Sequence, residues 1–116
     1  MLDPTVLRNL IAGGWEKLPF APFRDGITIS RLLDGSPSIA LLHYQPGACV
    51  PFHEHIGAET ILVLEGSQSD ENGTYVRGDV IINPTGSCHS VWSDEGCVVL
   101  LHWAEPVRFL DPYSAL

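Results

Sequence analysis

The sequence is short of positive charge. Only six of its 116 residues are Lys or Arg, against fourteen Asp and Glu, and the formal net charge is −8 at pH 7. Affinity for DNA or RNA draws on contacts between basic side chains and phosphates, and the few basic residues here are scattered along the chain. We therefore expect no nucleic-acid partner.

Long apolar runs are also lacking. Those at 61–64 and 98–101 are far shorter than the roughly 20 residues that a membrane-spanning helix needs. Residues 1–10 contain no basic start followed by an apolar stretch, so the sequence predicts no secretory signal. We expect cytoplasmic residence and no membrane partner.

Cysteine is sparse, and its spacing excludes the usual cysteine-based frameworks. Cys49, Cys88 and Cys97 are odd in number and lack the paired spacing of a zinc knuckle or redox motif. Free thiols, buried or half-buried, are favoured over a redox role. Because Cys88 precedes His89 on a chain that reads as extended, the two side chains should point to opposite faces, and we expect Cys88 to be a packed thiol.

Turn formers, in contrast, are plentiful, with 11 Gly and 9 Pro between short β-rich runs. The predicted strands cover 26–33, 38–44, 60–64, 80–83, 90–92 and 97–103. An N-terminal helical segment is predicted over 1–14, because Asp3 can cap a helix, Pro4 suits its first position and Gly13-Gly14 can end it. Its apolar residues form a stripe at helical spacing, namely Val6, Leu7, Leu10 and Ile11. The sequence thus predicts one all-β domain over 1–116.

Two of the predicted strands are apolar on both faces, at 61–64 and 98–101. A barrel or two-sheet sandwich would bury the inner face of such strands, while the outer face would need the terminal segments or another subunit against it. This pattern predicts a barrel and favours a homodimer.

Two histidines and a glutamate lie close together in the sequence. His53 and His55 are two positions apart, so their imidazoles should project from one face of an extended chain. Glu59 follows a stretch with Gly57, which can bend the chain and bring the carboxylate back beside the rings. Two His and a carboxylate form the open triad of many non-haem iron sites. His89 is a fourth candidate that a barrel could bring opposite the others.

These residues fall within two motifs that resemble those of the cupin superfamily, the RmlC-like barrels. The first motif spans 47–66 and contains Gly47, His53, His55, Glu59 and Gly66. The second spans 78–93 and contains Gly78, Pro84, Gly86 and His89, with Ser93 where Asn is usual. The resemblance implies a jelly-roll or double-stranded β-helix with one divalent metal held by His53, His55, Glu59 and His89. The replacement at Ser93 concerns local turn packing, because that position is not a ligand.

Within the superfamily, the segments 51–59, 62–66, 70–75 and 86–89 resemble the cupin domain of ChrR-type anti-sigma factors, and the likeness extends to 95–97. In those proteins a separate zinc-binding helical domain grips the sigma factor, and its His-x3-Cys-x2-Cys signature is absent from these 116 residues. The resemblance therefore implies the fold and the metal site without the anti-sigma activity. The acetylacetone-cleaving dioxygenases are the related enzymes.

The ligand set leaves the metal and the function open. Zinc or iron is favoured, and manganese, nickel or copper is compatible with three imidazoles and a carboxylate. One hypothesis is an enzyme, a metal-dependent dioxygenase or a related lyase or isomerase, acting on a small oxygen-chelating substrate such as a β-diketone. The other is a non-enzymatic zinc-binding sensor or regulatory module that takes an effector in its pocket. A purely structural or storage barrel ranks last, because burying so many polar groups is costly.

No catalytic residue is assigned from the sequence. His43 and His102 lie on predicted strands and could reach the pocket as acid or base, although a histidine at the barrel rim is the favoured interpretation. Tyr75, Trp92 and Trp103 could line a pocket, but aromatic residues of small barrels more often pack the core. A catalytic metal site should keep an open position next to a pocket, whereas a structural zinc site should be closed.

Overall fold

Ten β-strands and one short helix make up the regular structure of residues 2–110, the part of the chain that this computed structural model describes. Met1 and residues 111–116, which the sequence assigns to the same domain, lie outside it. The strands are β1 (Ala21–Arg24), β2 (Ile27–Leu33), β3 (Ser38–Tyr44), β4 (Cys49–Glu54), β5 (Glu59–Asp70), β6 (Gly73–Val76), β7 (Val80–Asn83), β8 (Cys88–Trp92), β9 (Cys97–Trp103) and β10 (Arg108–Phe109). The all-β prediction is confirmed.

The strands form a sheet that curls into a barrel, in the order β1-β2-β3-β9-β5-β8-β4-β10, with β6 and β7 added to β5. Strand β5 links two parts of the sheet, because its first part pairs with β9 and β7 and its last part pairs with β6. It bends at Gly66, which has a φ of 75° and lies so close to Gly96 that a Cβ there would be 2.0 Å from the Gly96 oxygen. The last glycine of the first motif is therefore required by this close approach.

The barrel interior is largely apolar. Alternate residues of the strands point inward, and the buried set includes Ile29, Leu42, Val63, Val99 and Leu101. Burial of this core is the main contribution to the stability of the fold.

The outer face of the sheet is covered by the N-terminal segment, one of the two solutions expected from the sequence. Leu41, Leu64 and Val98 form a second buried cluster on this face. The side chains that pack against it from the N-terminal segment are Leu10, Trp15, Leu18 and Phe20. On β7, Val80 and Ile82 remain exposed. The homodimer stays a prediction.

The N-terminal helix differs in position and type from the one predicted. Residues 3–8 have no regular structure, and the helix is a 3₁₀ turn at Gly14–Lys17, beyond the predicted glycine stop. Short helices are marginal unless an apolar face packs against something, and here Val6 is 60% exposed. Asn9 also has a positive φ, which interrupts a helix. No helix within residues 2–110 has the length and apolar character needed to cross a membrane.

The three cysteines are free thiols, as predicted, but their burial differs from the expectation for two of them. Cys97 is buried in the barrel, whereas Cys49 and Cys88 are exposed. Cys88 and the buried His89 do lie on opposite faces of β8. The opposite face of β8 at this position is open to solvent, so Cys88 is not the packed thiol that we expected.

Candidate metal centre

Three imidazoles meet inside one end of the barrel. His53 lies on β4 and His89 on β8, and the two residues are direct partners in the antiparallel pairing of these strands. His55 follows one position after the end of β4, and its ring centroid is 4.6 Å from that of His89. One ring nitrogen from each of the three lies within 4.8 Å of the others, and all three residues are buried. The predicted shared face of His53 and His55 is confirmed.

Each ring is held by its Nδ1 atom. The His53 Nδ1–H donates to the Pro51 carbonyl at 2.8 Å, and the His55 Nδ1–H donates to the Ser87 carbonyl at 3.0 Å. The His89 Nδ1–H donates to the Asp70 carboxylate at 3.0 Å. The Ser87 hydroxyl also lies 2.9 Å from His55 Nδ1, but its proton is donated to the Pro84 carbonyl, so it too accepts there. Because all these partners accept, the proton of each neutral ring must be on Nδ1, which leaves the lone pair on Nε2.

Asp70 is the most elaborate of these anchors. It is a buried carboxylate at the end of β5, and one of its oxygens faces His89. The other oxygen accepts from the Tyr75 hydroxyl at 2.9 Å and from the Asn72 backbone N–H at 2.8 Å. Burial acts to raise the pKa of Asp70, but the bond from His89 and these two donors outweigh it and lower the pKa. Asp70 therefore stays ionised and fixes both the tautomer and the direction of His89.

Glu59, at the start of β5, lies at the edge of the histidine cluster. Its Oε1 is 3.1 Å from His55 Nε2 and 3.9 Å from His89 Nε2. The same oxygen accepts from Asn83 Nδ2 at 3.1 Å, and the other accepts from the Trp103 indole N–H. Asn83 and Trp103 thus hold the carboxylate with its Oε1 toward the rings. The assignment of Glu59 as a ligand stays a prediction.

The donor set fits a cation. The Nε2 atoms of His55 and His89 are buried and have no hydrogen-bond partner within residues 2–110, although unpaired buried polar atoms are rare. A lone pair on His55 Nε2 would also face the Glu59 carboxylate at 3.1 Å, which is unfavourable unless a positive charge lies between them. A proton on His55 or a metal ion supplies that charge. Convergent imidazoles with a carboxylate are ligands of zinc and of iron.

The pKa shifts of these groups have opposing causes. Burial lowers the pKa of His53. Burial also acts to lower the pKa of His55, but the Glu59 carboxylate, with its Oε1 3.1 Å from His55 Nε2, prevails and raises it. For Glu59, burial acts to raise the pKa, and the His55 and Trp103 contacts outweigh it, so that the pKa is lowered. The site therefore presents an anionic carboxylate beside its imidazoles.

A small cavity adjoins the site. It has a volume of about 40 Å³, and His53 and Glu59 form part of its wall. Phe23, Val107 and Phe109 also line it, and the Phe109 ring lies 5.8 Å from the His53 ring. Phe109 is 43% exposed, so this side of the cavity is the one that approaches solvent. The site adjoins free space on the side of His53 and Glu59.

His43 and His102 do not reach this cavity. They have the same strand parity as Leu41 and Leu100, which pack on the outer face of the sheet. His43 contacts the rings of Trp15 and Phe20 at centroid distances of 5.1 Å and 6.0 Å, and His102 is exposed. The favoured interpretation, that neither histidine serves the pocket, agrees with their positions.

The aromatic residues considered as pocket walls have different roles. Trp103 lines the cavity and donates to Glu59. Tyr75 supports Asp70, and Trp92 is not among the residues that line the cavity. Ser93, where the second motif usually has Asn, is fully buried and donates to the Ser67 carbonyl at 2.6 Å. The hydroxyl of this shorter side chain therefore has a hydrogen-bond partner within the fold.

Comparisons with known proteins agree with this fold. The sequence profile of the ChrR cupin-like domain matches residues 10–107. The anti-sigma-E factor ChrR of Cereibacter sphaeroides is 30% identical over 109 residues, which cover 91% of this chain and 51% of that protein. This chain thus spans about half the length of that relative.

Two solved structures show the same barrel. The complex of Rhodobacter sphaeroides SigE with the anti-sigma ChrR matches with a TM-score of 0.69 and 27% identity, over 76% of this chain and 49% of that chain. An acetylacetone dioxygenase from Acinetobacter johnsonii matches with a TM-score of 0.78 and 16% identity, over 97% of this chain and 80% of that chain. The second likeness is one of fold alone.

Proposed function

This chain belongs to the ChrR cupin-like domain family, and on that premise we propose that it holds one divalent metal ion at a site open to a small oxygen-chelating substrate. The proposed ligands are the residues predicted from the sequence, namely His53, His55, Glu59 and His89. The proposed activity is that of a dioxygenase-like enzyme. When bound, the metal would supply Lewis acidity to the chelated oxygens and, in the case of iron, redox chemistry toward dioxygen.

One observation carries the proposal, which is the direction of the three imidazoles. Every Nδ1 is committed to an acceptor, from Pro51, Ser87 or Asp70, and every Nε2 points to a common centre. A set of histidines that served only to fill the core would instead be expected to pair both ring nitrogens. Fixed tautomers with converging lone pairs are what metal ligation requires.

The cavity beside His53 and Glu59 favours an open site over a closed structural one. A four-coordinate structural zinc is enclosed by its ligands, whereas a catalytic metal keeps a position for water or substrate. The likeness of fold to an acetylacetone dioxygenase is consistent with a small chelating substrate. The residues of this chain would orient that substrate and keep water away from it with the apolar wall of Phe23, Val107 and Phe109.

A second candidate is a zinc-binding sensor or regulatory module without catalysis. The observation that favours it is the relationship to an anti-sigma factor, which extends over 91% of this chain. In this candidate the metal stabilises the barrel and an effector occupies the cavity. The two candidates share the ligands and differ in whether the metal reacts.

The test is elemental analysis of the protein purified without added metal. We expect about one zinc or iron per chain in the wild type and none in the double variant His53→Ala/His55→Ala, which should also unfold at a lower temperature because metal binding is coupled to folding. His102→Ala is the matched control, since this histidine is exposed on the outer face. Full metal content in the double variant would contradict the ligand assignment.

Oxygen uptake separates the two candidates. The iron-loaded protein is mixed with acetylacetone, and dioxygen consumption is followed with an electrode. Uptake that is lost in the double variant supports the dioxygenase-like enzyme. Stoichiometric zinc in the purified protein, with no uptake by the iron-loaded form, favours the sensor.

A further inference from the structure

The lining of the cavity beside the metal centre is mostly apolar and includes few polar groups. Leu42, Val50, Ile61, Val91 and Leu101 make up much of its wall. Besides His53, Glu59 and the indole of Trp103, the polar side chains that line it are Tyr44 and Gln68. His53, Glu59 and Trp103 belong to the metal centre, so Tyr44 and Gln68 remain to contact the rest of a ligand.

Tyr44 and Gln68 are both buried, with 2% and 3% of their surface exposed. Both side chains line the same cavity, and the Gln68 side chain acts to lower the pKa of the Tyr44 phenol, against the effect of burial. A phenol can donate a hydrogen bond through its O–H, and a glutamine amide can both donate and accept, so the two side chains can together recognise one ligand oxygen. Buried groups of this kind are costly unless they are paired, which makes them a strong basis for selecting a ligand.

The charge of the cavity restricts the ligand further. None of the described residues that line it is Lys or Arg, and Glu59 adds a negative charge. Arg24 is not part of the lining, and its guanidinium lies over the Phe109 ring at 4.7 Å. Burial raises the pKa of Tyr44, so its phenol stays neutral. A phosphate or second carboxylate on the ligand would therefore be buried without a counter-charge.

We propose that Tyr44 and Gln68 determine specificity, by selecting a compact ligand that chelates the metal at one end and carries one uncharged hydroxyl or carbonyl oxygen at the other. The proposal rests on the proposed function, because it takes the metal to be open to a chelating ligand. The cavity volume of about 40 Å³ is small, so the tail must be short.

The test uses protein loaded with cobalt(II), whose visible absorption reports ligation, and two hydroxamate chelators of equal size. Propionohydroxamate ends in a methyl group, and glycolohydroxamate carries a hydroxyl in its place. We expect the hydroxyl probe to bind the wild type about tenfold more tightly, as a buried hydrogen bond predicts. Malonohydroxamate, with a carboxylate tail, should bind more weakly than both.

The variants Tyr44→Phe and Gln68→Leu should each reduce this preference to about twofold or less, since each removes one hydrogen-bonding group. Their affinity for propionohydroxamate should not fall, because its methyl group makes no hydrogen bond to either side chain. Gln45→Leu is the matched control, because Gln45 is exposed and does not line the cavity. Cobalt stoichiometry and melting temperature show whether each variant is folded. If one variant fails to fold, the other still tests the inference.

The outcomes separate this inference from the proposed function. Failure to take up cobalt, or a cobalt spectrum that no hydroxamate changes, would overturn the proposed function and the inference with it. Binding of both probes with equal affinity would overturn the inference alone. A preference for the hydroxyl probe that survives in both variants would do the same.

Discussion

The substitution Asp70→Asn tests the link between hydrogen bonding and metal affinity most directly. In the wild type, one carboxylate oxygen accepts from Tyr75 and Asn72, and the other accepts from His89 Nδ1. An asparagine that keeps its carbonyl toward Tyr75 and Asn72 must turn its NH₂ group toward His89. Nδ1 of His89 then has to accept, and the ring proton moves to Nε2, the atom that faces the centre.

The expected cost follows from this change of tautomer. Removing the partner of a ligating histidine typically lowers metal affinity by about 10- to 100-fold, or about 1.4–2.7 kcal/mol. The metal-free protein loses one hydrogen bond to a charged group but retains the two donors on the other oxygen, so its free energy of unfolding should fall by only about 1–2 kcal/mol. Affinity should therefore change more than the fold does.

The assay is a zinc competition against a chromophoric chelator at fixed pH, with circular dichroism to verify the fold. Asp79→Asn is the control, because Asp79 is also a carboxylate that accepts a backbone N–H, from Val76 at 2.8 Å, but is exposed. It changes the net charge equally. A zinc Kd for Asp70→Asn within about twofold of the control value would refute the tautomer argument.

Two further predictions concern the thiols and the cavity mouth. Burial raises the pKa of Cys97 to about 11, so iodoacetamide at pH 8 should modify Cys49 and Cys88 in the native protein and Cys97 only after unfolding. Rapid modification of all three thiols in the native protein, counted by mass spectrometry, would contradict this. Phe109→Ala should speed zinc release to excess chelator about tenfold, because the ring covers His53, and should cost only about 1 kcal/mol of stability, because the ring is 43% exposed. An unchanged release rate in stopped flow would show that zinc leaves by another route.

The features that could be predicted are those that depend on the spacing of residues close in sequence. The strands at 38–44, 80–83 and 97–103 have the predicted bounds, and the His-x-His spacing placed two imidazoles on one face. The apolar stripe predicts an N-terminal helix, but the fold packs the partly buried Leu10 against the sheet from an irregular segment and leaves Val6 exposed. Local pattern does not say which surface is available to pack against.

The supports of the site could not be predicted from the sequence, because they depend on strand register. Glu59 lies opposite Trp103 on β9 and opposite Asn83 on β7, and both side chains donate to it. Side chains along a β-strand alternate between its two faces, so the sequence predicts the face on which a side chain lies. It does not predict which residue of the neighbouring strand that side chain contacts. Asp70, at the end of a strand longer than predicted, was missed for the same reason.

On the proposed function, the direct pairing of His53 with His89 bears on how a newly made chain would acquire its metal ion. His53, His55 and Glu59 are close in sequence, whereas His89 joins them only after β4 and β8 have paired across the intervening chain. Closing so long a loop costs entropy, and topologies rich in such distant pairings fold slowly. An ion that meets the chain early finds an incomplete set of donors and can leave again. Tight retention of the ion therefore begins with barrel closure, and the folding rate sets how quickly the protein matures.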